Sequence, residues 1–253
     1  NLTDWYPFVV PYINGWVLHD EYYLGEHLVY DAADFEVNVR TTEGSITIAA
    51  SGVSEPNNEW TRYRIFGART FALSASDQFQ VVDASAGAAV IRAYYFAGYE
   101  TEGLAILNAG VRSVSLFESL FGPYPYGSLS VVQSDLNDGQ EYDGLVFLAT
   151  KLYNEYDGSA RSNLTALGVH EIAHQWWGQA VGWKNYHEQW LSEGLTQYFA
   201  VRYVGHDRGP ETERAMFAQM RGSVGRRSPI SRIAIHIGGT ASARRMKTKV
   251  IGG

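Results

Sequence analysis

The 253-residue sequence contains no cysteine, which excludes disulfides and thiolate-bound metal. That absence fixes no compartment and at most leans towards an exported or envelope location. No stretch approaches the roughly 18 uninterrupted apolar residues of a membrane-spanning helix, so no membrane span is expected. The first residues, Asn1 to Trp5, lack the basic and then apolar run of a signal peptide. No Met begins the chain, as in a mature product or a fragment. Acidic residues are missing from the C-terminal end: all 27 lie at or before Glu213, whereas nine of the 20 Lys and Arg follow it. An acidic body lacks the basic footprint that nucleic acid requires, so no nucleic-acid partner is expected. No tyrosine follows Tyr203.

What is present reads first as β-structure. Segments 35–40, 45–49, 61–66, 71–74 and 90–96 place apolar and polar residues at the spacing of half-buried strands. The Ser, Asn, Gly and Pro cluster from Ser51 to Asn58 reads as punctuation between them. The pattern changes near Gly98. Leu104, Leu107, Val111, Val114, Phe117 and Leu120 recur at helical spacing, and Gly122-Pro-Tyr-Pro125 stops that helix. Strands are expected at 129–132 and 144–149. Ser162 or Asn163 can cap a helix running to about Trp177, with Gly178 at its end. A last helix is expected from about Glu188 to Val204, closed by Gly205. The fold class is therefore α+β, with an antiparallel β portion leading into mixed α+β structure.

The two central helices hold the chemistry. His170-Glu-Ile-Ala-His174 is an H-E-x-x-H motif. Residues four apart share one helix face, so both imidazoles can reach one ion, and Glu171 beside them can act as a general base. Two histidines leave a tetrahedral zinc short of a protein ligand. Glu193, on the next helix after eighteen intervening residues, can supply it. A chance H-E-x-x-H falls on arbitrary structure, but this one follows a helix cap and precedes a carboxylate on a returning helix. His187 reads as a surface or supporting histidine, and His19, His27, His206 and His236 have no ligand-like spacing. Trp176 and Trp177 read as packing residues.

The run His170-Glu-Ile-Ala-His-Gln-Trp-Trp-Gly178 with Glu193 resembles the gluzincin aminopeptidases of the aminopeptidase N family, as does Phe121-Gly-Pro-Tyr-Pro-Tyr126. The resemblance implies a β-rich N-terminal domain over residues 1–98 and a thermolysin-like zinc peptidase domain over 99–220. Residues 221–253 then form a basic tail that matches no helix of the family, as in a C-terminally truncated chain. It implies one zinc ion on His170, His174 and Glu193, Glu171 as general base, and peptide substrates with a free N-terminus. Family members carry a G-x-M-E-N segment whose Glu binds the substrate's α-ammonium. Here Gly139-Gln-Glu-Tyr142 matches it in part and gives Glu141 that role, against a plainer reading as an acidic turn. The family's oxyanion-stabilising Tyr, some 50 to 80 residues beyond the third ligand by the family's pattern, has no counterpart here. A gluzincin endopeptidase and an inactive zinc-binding scaffold therefore stand as alternatives.

Overall fold

The structure, a computed structural model, describes residues 1–17, 29–42, 44–159, 162–184 and 188–224. Eight strands come first: β1 (Leu2–Thr3), β2 (Ala33–Val39), β3 (Thr47–Ala50), β4 (Val53–Asn57), β5 (Trp60–Ala68), β6 (Ala72–Ser76), β7 (Phe79–Ala86) and β8 (Ala89–Phe96). The helix α1 (Glu100–Phe121) follows, then β9 (Ser128–Ser134), β10 (Gly139–Tyr142) and β11 (Leu145–Ala149). Four more helices complete the described chain: α2 (Thr150–Asn154), α3 (Asn163–Ala173), α4 (Gln189–Arg208) and α5 (Pro210–Val224). The class is α+β, with antiparallel β-structure leading into an α+β portion.

Two three-stranded sheets, ordered β1-β6-β3 and β2-β5-β4, form the antiparallel part. A five-stranded sheet, ordered β10-β11-β9-β8-β7, supports the rest. Its middle pairs, β8 with β9 and β9 with β11, are parallel, while β7 and β10 join the flanks antiparallel. Parallel neighbours need a crossover, and α1 supplies it between β8 and β9. Every residue of β9 and β11 is buried, as the inner strands of a covered sheet must be. Hydrogen bonding thus joins residues on both sides of the division expected at residue 98.

By length and composition α1 is apolar enough to cross a membrane, yet here it is the core helix. Ile106, Val114 and Phe117 are fully buried in one cluster with Ile91 and Leu129 of the sheet and Val169 and Ile172 of α3. The helices α1 and α3 pack tightly because Gly168 has no side chain: a Cβ there would stand 2.3 Å from Ile106 Cδ1.

Several boundaries differ from those expected. The cluster at 51–58 contains β4, whose Pro56 pairs opposite Thr61. A proline is tolerated because β4 is an edge strand with a neighbour on one side only. Gly205 does not close α4, which continues to Arg208 and ends at Gly209, φ 89°. The role of Gly205 is close packing, since a Cβ there would meet Glu213 Cβ of α5 at 2.7 Å. Pro210, with Glu211 and Glu213 in the first turn, opens α5, a helix that runs into the first residues of the expected tail.

Candidate metal centre

Ser162 caps α3 by accepting a hydrogen bond from Thr165 N, so the cap is Ser162 and Asn163 is the first helical residue. The α-helix stops at Ala173, four residues short of the expected end. Beyond it Gln179, Ala180 and Val181 donate to the carbonyls of His174, Gln175 and Trp176, each spanning five residues. This wider coil turns the chain back towards α4. Trp176 and Trp177 pack: Trp176 lies edge-on to Phe117 with centroids 5.6 Å apart, and Trp177 stacks on Phe199 of α4 at 5.9 Å.

His170, His174 and Glu193 meet where α3 and α4 face each other. The two Nε2 atoms are 3.2 Å apart. Glu193 places Oε2 3.4 Å from His170 Nε2 and Oε1 3.6 Å from His174 Nε2. Ligands bound at 2.0–2.1 Å in a tetrahedron stand about 3.3 Å apart, so the two imidazole nitrogens and the Glu193 carboxylate, which turns one oxygen towards each, have spacings close to those of three corners of a zinc site. Burial holds the His170 imidazole below its ordinary pKa, against the hydrogen bond it donates to Glu193, and so favours the neutral, ligating form. Burial pushes the Glu193 carboxyl up, but the two imidazoles outweigh it and hold the group at about 2.

The second histidine is held from behind. His174 Nδ1 lies 3.0 Å from the Trp177 carbonyl and 2.9 Å from Ser192 Oγ, which itself donates to that carbonyl at 2.8 Å. An N–H facing a carbonyl puts the proton on Nδ1 and leaves the Nε2 lone pair for a metal. Thr196, one turn along α4, adds its hydroxyl 3.3 Å from the same nitrogen. Gln197 approaches His170, but among the described residues its carboxamide and His170 Nδ1 are buried without a hydrogen-bond partner.

Two further carboxylates border the cluster. Glu171 is buried against β10, where a Cβ on Gly139 would lie 2.2 Å from its Oε1. Glu141, on the same strand, sets Oε1 3.4 Å from His174 Nδ1. Donor atoms of Glu141, Glu171 and His174 all lie within 4.8 Å of one another. The structure therefore gathers all five residues singled out from the sequence. His206 is exposed, while His19, His27, His187, His236 and most of the expected tail lie outside the described residues. Ser192, Thr196 and Gly139 were not anticipated. Of these, Gly139 had a visible signal, because it opens the segment that contains Glu141.

A helix carrying H-E-x-x-H, a second helix returning a glutamate, and a mixed sheet beneath them define a metallopeptidase-type centre. The model of the Peptidase family M1 domain matches residues 106–232, and the chain belongs to that family. Over 121 residues it is 32% identical to Aminopeptidase M1-D of Oryza sativa subsp. japonica, covering 45% of this chain and 14% of that protein. Over 132 residues it is 29% identical to Aminopeptidase B of Homo sapiens, covering 47% and 19%. The fold is similar to that of the M1 zinc metallopeptidase from Deinococcus radiodurans, with TM-score 0.54 and 20% identity, over 77% of this chain and 44% of that one. A mutant of that enzyme bound to a Tyr-Ser-Ala substrate aligns with TM-score 0.52 and 22% identity, over 76% and 44%. This chain thus spans a small part of the length of its curated relatives and less than half that of these structures.

Proposed function

We propose that this chain forms the catalytic centre of a zinc aminopeptidase that removes N-terminal residues from peptides. The supporting observation is the tetrahedral spacing of His170 Nε2, His174 Nε2 and Glu193. A zinc ion held by these atoms would polarise the scissile carbonyl and acidify water. Glu171 accepts the proton of the attacking water and returns it to the leaving amine, and its burial beside the histidines keeps that transfer away from bulk solvent. Glu141 pairs with the substrate's α-ammonium and so fixes cleavage one residue from the N-terminus.

The closeness of Glu141 to His174 Nδ1, 3.4 Å, favours one other role for it. There it orients the imidazole, and the centre needs no free N-terminus, as in an endopeptidase. The test is hydrolysis of aminoacyl and N-acetyl-aminoacyl fluorogenic substrates by zinc-loaded protein, by Glu171→Gln and by Glu141→Gln, with and without chelator. The proposal expects chelator-sensitive release that refuses acetylated substrates, is lost in Glu171→Gln, and loses its amine preference in Glu141→Gln. Equal cleavage of blocked and free substrates would replace it with the endopeptidase reading. Stoichiometric zinc without turnover would reduce the chain to a metal-binding scaffold.

A further inference from the structure

Immediately after Glu141 the strand β10 turns into β11 through Asp143 and Gly144, with Tyr142 opposite Leu145. Gly144 has φ 71°, a conformation that glycine adopts without strain. Gln175, fully buried and adjacent in sequence to the ligand His174, grips this turn at two points. Its Nε2 donates to the Tyr142 carbonyl at 2.9 Å, and its Oε1 accepts from Gly144 N at 2.8 Å. The Tyr124 hydroxyl donates to the same Oε1 at 3.2 Å, fixing which way the carboxamide faces. Asp143 is clamped in turn. It accepts from Thr70 N at 2.8 Å, Thr70 Oγ1 at 2.7 Å and Arg69 N at 3.0 Å, and from the Tyr126 hydroxyl. The Tyr124-Pro-Tyr126 segment therefore does more than end α1, since its two hydroxyls hold the two side chains that hold the hairpin.

We infer that Gln175 is a positioning residue for amine recognition: it couples the hairpin bearing Glu141 to the metal-binding segment and sets the distance between Glu141 and the ligand cluster. The inference rests on the amine-anchoring role of Glu141 proposed above. A carboxamide suits the task because it donates to one backbone group of the turn and accepts from the other. No apolar side chain of the same size can do both.

The test compares the Kd of L-phenylalaninamide with that of N-acetyl-L-phenylalaninamide for the zinc-loaded full chain, by calorimetry. The ratio of the two is the amine preference. Zinc affinity is measured in parallel by chelator competition, a quantity that general damage to the helix would also move. In Gln175→Met, isosteric and neutral, the amine preference should fall about tenfold while zinc affinity stays within about twofold of wild type. Tyr124→Phe, which removes the hydroxyl's bond to Gln175 together with its longer one to the Ser128 carbonyl, should lower it about threefold. Adding Gln175→Met to Glu141→Gln should lower it no further, because the first acts through the second.

An unchanged preference in Gln175→Met overturns the inference, as does a parallel fall in zinc affinity, which would make Gln175 a support of the metal helix. Should Gln175→Met fail to fold, an unchanged preference in Tyr124→Phe overturns it. A preference that survives Glu141→Gln sinks the amine-anchor reading itself. Loss in Glu141→Gln without loss in Gln175→Met sinks this inference alone.

Discussion

Gly139 and Glu171 are in direct apposition, with the glutamate's carboxylate lying where any side chain on residue 139 would have to be. Gly139→Ala should push Glu171 off its position while leaving the three ligand atoms in place. We expect kcat to fall about 100-fold with zinc stoichiometry unchanged. Steady-state kinetics with metal analysis checks this, and loss of zinc in the variant would show that the strand supports the ligands as well.

Ser192 stands behind His174, 2.9 Å from Nδ1. Its removal leaves the Trp177 carbonyl as acceptor but frees the ring to swing. Ser192→Ala should weaken zinc binding about tenfold, within the range for partners of metal-bound histidines. Chelator competition measures it, and an unchanged affinity would assign the orientation to the Trp177 carbonyl, Thr196 and Glu141 that remain around Nδ1.

Asp143 is buried and accepts hydrogen bonds from two residues of the N-terminal portion. Burial raises its pKa, and its hydrogen bonds with Tyr126, Thr70 and Arg69 only partly reverse that. Because the folded-state value lies above the unfolded one, its stabilising contribution is complete below about 3.9 and is lost as pH rises through the folded value. The stability advantage of wild type over Asp143→Asn should therefore shrink as pH rises through that window. Urea unfolding of both proteins at a series of pH values checks the sign.

Gly168 lets α3 rest on Ile106. Gly168→Ala should cost about 1–3 kcal/mol by overpacking. Ile106→Val, which removes the Cδ1 methyl in the way, should recover part of that loss. Thermal or urea unfolding of the single and double variants decides, and additive losses would locate the strain elsewhere.

Much of the site was legible because it is local. His170, Glu171 and His174 declare themselves by helical spacing, and Glu193 by its place on the next helix. The helix α1 was legible from its apolar period and its double-proline stop. Allegiance of strands was not: β7 and β8 alternate like any half-covered strand, and alternation does not say that they pair towards β9. Pro56 masked β4 because the exemption it enjoys belongs to the sheet edge, a property of topology. Gly205 looked like a terminator because a glycine needed for close packing and one needed for a cap are the same letter. Gln175 and Asp143 could not be read as partners, since the groups they hold lie 31 and 73 residues away in the chain. The Asp143-Gly144 pair just before the apolar run Leu145–Ala149 was, however, a visible turn signal.

The ties from Arg69 and Thr70 set the smallest piece of this chain that can be used as a tool. Arg69 Nε also donates to the Gln179 carbonyl at 2.8 Å, across 110 residues of sequence. A fragment starting at residue 99 would keep every metal ligand and lose β7, β8 and the Arg69 and Thr70 donors to Asp143, leaving it the Tyr126 hydroxyl. In such a fragment discrimination of the peptide terminus would weaken before ion capture does, because the ligands lie on retained helices while the hairpin keeps only its ties to Gln175 and Tyr126. A minimal version therefore has to begin upstream of Arg69.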